Sequence, residues 1–172
     1  MYFKHLTFEY DENKLKKEFK QYQLKPFSIT KTELNQDHSY FNDDYNPDSW
    51  FNSTSTWLNH RIRNFDDAPE IHRIYQDLTL KLGHISTSIF KQLSGTEVPF
   101  HCDYAKVRCA VNIILSLESA PIVFEDYGEV YYKCALINIT KRHKVPPFNK
   151  ERLLLKFNIF DTRYKDAKRI LS

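Results

Sequence analysis

The chain has 172 residues, 41% of them hydrophobic and 15% aromatic, enough for one domain with a full core and too few for two comfortable ones. Its 25 basic and 22 acidic residues give a formal charge of +3, too balanced to announce a nucleic-acid or membrane partner, and the composition is far from that of a disordered tail. Three cysteines, Cys102, Cys109 and Cys134, form no CxxC pair, which argues against a disulfide framework or a cysteine zinc site and leaves reduced thiols as the expectation.

The first ten residues alternate apolar and charged side chains without a signal-peptide pattern, and no run of about 18 apolar residues occurs, so a cytoplasmic protein is expected. Asp11 can cap a helix whose apolar residues Leu15, Phe19 and Tyr22 recur on one face. Residues 35–56 are rich in Asn, Asp, Ser and Thr yet carry Tyr40, Phe41, Tyr45, Trp50 and Phe51. A loop this long reads either as a lid or as surface whose aromatics plug onto the core. A second helix is marked by Asp67 as cap, Pro69 and Glu70 in the first turn, the stripe Ile71, Ile74, Tyr75, Leu78 and Leu82, and Gly83 as its stop.

From residue 85 the texture changes to short runs rich in Val, Ile, Phe and Tyr. Strands are predicted at 85–93, 98–103, 107–115, 121–125, 129–132, 135–140 and 152–161, with turns at Ser94-Gly95 and Tyr127-Gly128. This spacing suits a barrel or sandwich. A short helix is predicted at 165–171, and the chain shows no internal repeat.

The segment Phe100-His101-Cys102-Asp103 carries the first chemical signal. On an extended strand residues i and i+2 share a face, so His101 and Asp103 project together and Cys102 points away. That geometry argues against a thiol nucleophile assisted by His101. An HxD tripeptide alone arises easily by chance and needs its context. Forty residues later the run 135–140 leads into His143, which can close a facial triad of two histidines and one carboxylate, the donor set of non-haem iron. Nine residues further, Arg152 opens a strand with a planar guanidinium suited to a dicarboxylate. On the strand 107–115, Val107, Cys109, Val111, Ile113 and Leu115 share one face, while Arg108, Ala110 and Asn112 share the other. If the second face lines the interior, Arg108 and Asn112 contact a cosubstrate or substrate; otherwise Arg108 lies in solvent at an edge.

The ordered set GTEVPFHCD, VRCAVNIIL, CALINITKRHKV and ERLLLKF resembles the core of the 2-oxoglutarate/Fe(II)-dependent oxygenases, and is most similar to their prolyl-hydroxylase-like and aspartyl/asparaginyl β-hydroxylase-like branches. The resemblance spans residues 85–161; the first 84 residues carry none. It implies a mainly β domain with flanking helices over residues 1–172, a double-stranded β-helix of the jelly-roll or cupin-like kind, with 1–84 as helical and loop support. It further implies iron(II) held by His101, Asp103 and His143, 2-oxoglutarate anchored by Arg152, and dioxygen as oxidant. The expected substrate is an amino-acid side chain, free or peptidyl, of proline, asparagine or aspartate. Two departures stand out. Many members have Ser or Thr two residues after the arginine where this chain has Leu154, and the aspartyl/asparaginyl branch often lacks the acidic ligand that Asp103 supplies here, which favours the prolyl-hydroxylase-like side.

Three other readings are kept in view. Leu154 leaves room for a non-catalytic β-helix module that binds a ligand without turnover. Lys141, Arg142, Lys144 and Lys150 around His143 raise nucleic acid as a substrate. A zinc or manganese hydrolase on the same barrel would differ in metal content and in indifference to dioxygen. His5, His38, His60, His72 and His84 are read as surface or core residues outside the site.

Overall fold

Beyond residue 85 the chain passes back and forth between two sheets, pausing only at one hairpin within the smaller sheet, and this winding makes a double-stranded β-helix of the jelly-roll type. The computed structural model describes residues 1–26, 57–103 and 106–172; the segment read at 35–56 lies outside the described residues. The elements are β1 (Phe3–His5), α1 (Glu12–Phe19), β2 (Lys25–Pro26), β3 (Trp57–Ile62), α2 (Pro69–Leu82), β4 (Ile85–Gln92), β5 (Val98–His101), β6 (Cys109–Ile114), β7 (Ile122–Phe124), β8 (Gly128–Val130), β9 (Cys134–Ile137), β10 (His143–Val145), β11 (Arg152–Ile159) and α3 (Tyr164–Ile170). A seven-stranded sheet runs β1-β9-β6-β11-β4-β3-β2 and a four-stranded sheet β5-β10-β7-β8. From β4 onward the chain therefore passes from large sheet to small and back.

The large sheet is apolar on both faces at its centre, which is why β6 and β11 read as nearly continuous apolar runs. One face packs under the helices. Cys109, Val111 and Ile113 of β6 and Leu155, Phe157 and Ile159 of β11 meet Leu15 and Phe19 of α1 and Ile71, Ile74, Leu78 and Leu82 of α2. Each such side chain contributes roughly 2 kcal/mol by leaving water. The opposite face looks toward the small sheet, where Ala110, Ala135 and Ile137 meet Ile122, Phe124 and Val130. Trp57, Val98, Ala120 and Val145 form a second apolar group there. The alternation predicted for 107–115 holds, except that Val107, just before β6, packs with the inter-sheet group.

Asp11 caps α1 as predicted, accepting from the Lys14 N–H at 3.0 Å, although the helix ends at Phe19 and leaves Tyr22 in the following turn. The cap predicted for α2 is corrected. Its N-cap residue is Ala68, not Asp67, and Ala68 has no side chain to offer. The buried carboxylate of Glu18 on α1 instead accepts from the backbone N–H groups of Glu70 (2.8 Å) and Ile71 (2.9 Å). A carboxylate there satisfies orphan donors and meets the positive end of the helix dipole. Gly83 stops α2 with φ of +84°, and a Cβ there would lie 2.6 Å from Asp161 Oδ2, the atom that accepts from the His84 N–H.

Other boundaries shift. β1, β2 and β3 were not predicted, the strand at 129–132 is Gly128–Val130, and that at 135–140 is Cys134–Ile137. His143 does not extend β9; it opens a strand of its own in the other sheet, between β5 and β7. No helix among the described residues is long and apolar enough to cross a membrane.

Candidate metal centre

Three side chains from two neighbouring strands of the small sheet converge. His101 ends β5 and His143 begins β10, and the antiparallel register sets the two directly opposite each other. Their ring centroids are 4.5 Å apart. Asp103, two residues past His101, lies just beyond the strand, yet its Oδ1 sits 3.1 Å from His101 Nε2 and 3.6 Å from His143 Nε2. One donor atom from each residue falls within 4.8 Å of the others, the only such group of three among the described residues.

The protonation pattern suits a cation. His143 Nδ1 lies 2.7 Å from the Lys141 carbonyl oxygen; because a carbonyl only accepts, Nδ1 carries the proton and donates it. Nε2 is then a bare lone pair facing a carboxylate oxygen, an arrangement that holds together around a metal ion between them. Burial, helped by the nearby His101, pushes the His143 pKa down to about 3. Burial works to raise the pKa of Asp103, but the Lys156 ammonium and the His101 hydrogen bond outweigh it and hold the carboxyl well below its ordinary range. A neutral imidazole and an ionised carboxylate are the forms that bind metal without first losing a proton.

This sets a pH dependence for the metal-free protein. His143 has a folded pKa of about 3 against an ordinary 6.5, so between those values the unfolded chain binds the extra proton and the folded one does not. The stability this represents is complete above about 6.5 and is lost as pH falls toward 3, with Asp103 adding a loss at the acidic end. Urea midpoints measured from neutral pH down to about 4 are expected to fall steadily, and His143→Gln to flatten the upper part of that decline.

Arg152 lies on the inner face of the other, larger sheet, at the start of β11, opposite Gln92 of β4, which in turn lies opposite Trp57 of β3. It is buried, and its Nη2 donates to the Tyr132 hydroxyl at 2.7 Å. Asn112 Nδ2 donates to the same hydroxyl at 3.0 Å. Arg152 Nε and Trp57 Nε1 are buried donors without a hydrogen-bond partner among the described residues. Buried orphan donors are rare and costly, and a carboxylate is the group that satisfies several at once. Leu154 occupies the next inward position on β11, facing Phe90.

Of the six residues singled out from sequence, His101, Asp103 and His143 come together, and Arg152 and Asn112 are joined through Tyr132. Arg108 does not join them. It precedes β6 with an exposed side chain, at the end of the strand where its charge reaches water. Tyr132, Trp57 and Lys156 are additions. Lys156 shared only the weak signal of a charge inside an apolar strand; Tyr132 and Trp57 had none. Cys102 is half-buried, and burial together with the adjacent Asp103 charge raises its thiol pKa, so it is no thiolate nucleophile. Among the other histidines, His60, His72 and His84 lie against Tyr22, Phe65 and Phe160 respectively. His38 falls outside the described residues.

No protein-family description matches the chain, and no curated protein matches it. Solved structures resemble it at low identity. A prolyl-4-hydroxylase from Pseudomonas putida matches with 16% identity over 62% of this chain and 72% of that one, at a TM-score of 0.46. A viral collagen prolyl hydroxylase from Paramecium bursaria Chlorella virus-1, in complex with 2-oxoglutarate, matches with 9% identity over 60% of this chain and 77% of its own, also at 0.46. A Trichoplax adhaerens prolyl hydroxylase bound to a hypoxia inducible factor peptide fragment matches with 12% identity over 66% of each chain, at 0.49. At these values the likeness is one of outline only.

Proposed function

We propose that residues 1–172 form a single oxygenase domain, an iron(II)- and 2-oxoglutarate-dependent dioxygenase that hydroxylates an amino-acid side chain, free or peptidyl, with proline, asparagine or aspartate as the first candidates. The observation that carries this reading is the buried His101, Asp103 and His143 group, with the His143 Nε2 lone pair aimed at an ionised carboxylate oxygen 3.6 Å away. The donor set fits iron(II), which needs neutral imidazoles and a carboxylate on one side and open positions on the other. When bound, iron with 2-oxoglutarate supplies the oxidising power to place oxygen from O2 into a C–H bond, with succinate and carbon dioxide as coproducts.

The chain's own contribution is to bind and orient. His101 Nε2, Asp103 Oδ1 and His143 Nε2 hold the metal, and the Lys141 carbonyl fixes the His143 ring and its tautomer. Arg152 pairs with the far carboxylate of 2-oxoglutarate, assisted by the Tyr132 hydroxyl and Trp57 Nε1. Asn112 orients Tyr132, and its buried Oδ1 has no hydrogen-bond partner among the described residues. The buried ring of Phe124 lies 5.8 Å from that of His143 and shields this side of the site from water. The hydroxyl missing at Leu154 is supplied by Tyr132, which weakens the case for a module without turnover. Tyr132→Phe is expected to loosen 2-oxoglutarate binding about tenfold, the worth of one hydrogen bond to a charged group, and to leave iron affinity unchanged, as read by calorimetry.

The test is anaerobic addition of iron(II) and 2-oxoglutarate, followed by admission of oxygen. A visible metal-to-ligand band and slow succinate release support the proposal. A band without succinate would favour the binding module, and metal binding indifferent to oxygen the hydrolase.

A further inference from the structure

Lys156 stands out as a cation in the middle of a buried strand. It lies on the inner face of β11, in register with Asn112 of β6 and Ser88 of β4. Its side chain is 16% exposed and its ammonium contacts Asp103 Oδ2. The other carboxylate oxygen, Oδ1, faces both imidazoles. The two oxygens of Asp103 are thus divided, one toward the metal ligands and one toward a lysine from the opposite sheet.

We propose that Lys156 is a positioning residue that restricts Asp103 to a single metal-binding oxygen; the proposal rests on the metal reading above. A carboxylate free on both oxygens can chelate an ion and occupy two coordination positions. With Oδ2 engaged by an ammonium, Asp103 offers Oδ1 alone. A six-coordinate ion held by three protein donors would then keep three positions for other ligands. Chelation by Asp103 would remove one of these. The arrangement has an electrostatic consequence, because a fixed ammonium beside a dication lowers metal affinity. A lysine this far out of water is expensive to keep in a strand where Met or Leu would pack as well. Its position against the one oxygen that the histidines do not face gives it a role that packing does not.

Manganese(II) alone serves as the probe, with bound exchangeable waters counted by water-proton relaxation and affinity measured by calorimetry. Wild type is expected to hold three such waters. Lys156→Met should hold two and bind manganese roughly tenfold more tightly, and Lys156→Arg, which keeps a cation against Oδ2, should return the count to three. Two waters in wild type, or three in the methionine variant with unchanged affinity, would overturn the assignment. If the methionine variant does not fold, wild type and Lys156→Arg decide, since both must show three. Wild type that binds no manganese sinks the metal reading and this one together, whereas a chelating Asp103 in a wild type that binds manganese sinks this one alone.

Discussion

Asp103→Ala is expected to abolish the visible band formed by iron(II) and 2-oxoglutarate without oxygen, and to weaken iron binding by at least about a hundredfold. Asp103 supplies the only negative charge in the triad and the oxygen that both histidines face. Without it, two imidazoles remain beside the Lys156 ammonium, which has lost its partner and repels a dication. Both changes act in the same direction, which makes this the largest effect among single substitutions at the site. Asp103→Asn, which keeps the shape and an acceptor but not the charge, should retain more of the fold and still lose the band. Circular dichroism on both variants separates loss of ligation from loss of structure. An unchanged band in Asp103→Ala would remove the ligand assignment.

Arg152→Ala is expected to weaken 2-oxoglutarate binding by about a hundredfold or more while iron affinity stays within about threefold. The guanidinium is buried, held by Tyr132 at 2.7 Å, and has an Nε without a hydrogen-bond partner among the described residues. On the proposed reading it would act as a preformed receptor for an anion, with its orientation fixed before the ligand arrives. Arg152→Lys should not restore affinity, because an ammonium is a point donor and cannot present the planar pair of N–H groups a carboxylate accepts. The ratio of the two losses is the informative quantity. Equal losses of iron and 2-oxoglutarate would place Arg152 in the support of the metal instead.

What the sequence made legible follows from the range of the contacts involved. His101 and Asp103 are two residues apart on a run of period two, so their shared direction is a local property. The apolar face of β6 was visible for the same reason. His143 stood out by its place after a strand-like run and by resemblance, but its own strand did not, because β10 has three residues in a basic stretch, too few to display alternation. Tyr132 was hidden because its relation to Arg152 spans twenty residues and two loops, and nothing in its own neighbourhood marks it. The α2 cap failed in the same way. Local rules look for an oxygen at the preceding residue, whereas the capping carboxylate comes from Glu18, 52 residues away from Glu70. Arg108 erred in the other direction: the period placed it on the inner face, but the strand begins one residue later and its side chain ends in solvent.

The division of ligands between the sheets bears on how the molecule holds together. The large sheet is fastened to three helices by the larger apolar group, whereas the small sheet has strands of three or four residues and rests on fewer side chains. Both histidines belong to the slighter layer; Arg152 and Lys156 belong to the sturdier one. An occupant held by both histidines and by Arg152 would act as a rivet through two plates. The empty protein should therefore open first along β5 and β10, and filling the site should slow amide exchange there well before it alters exchange beneath the helices.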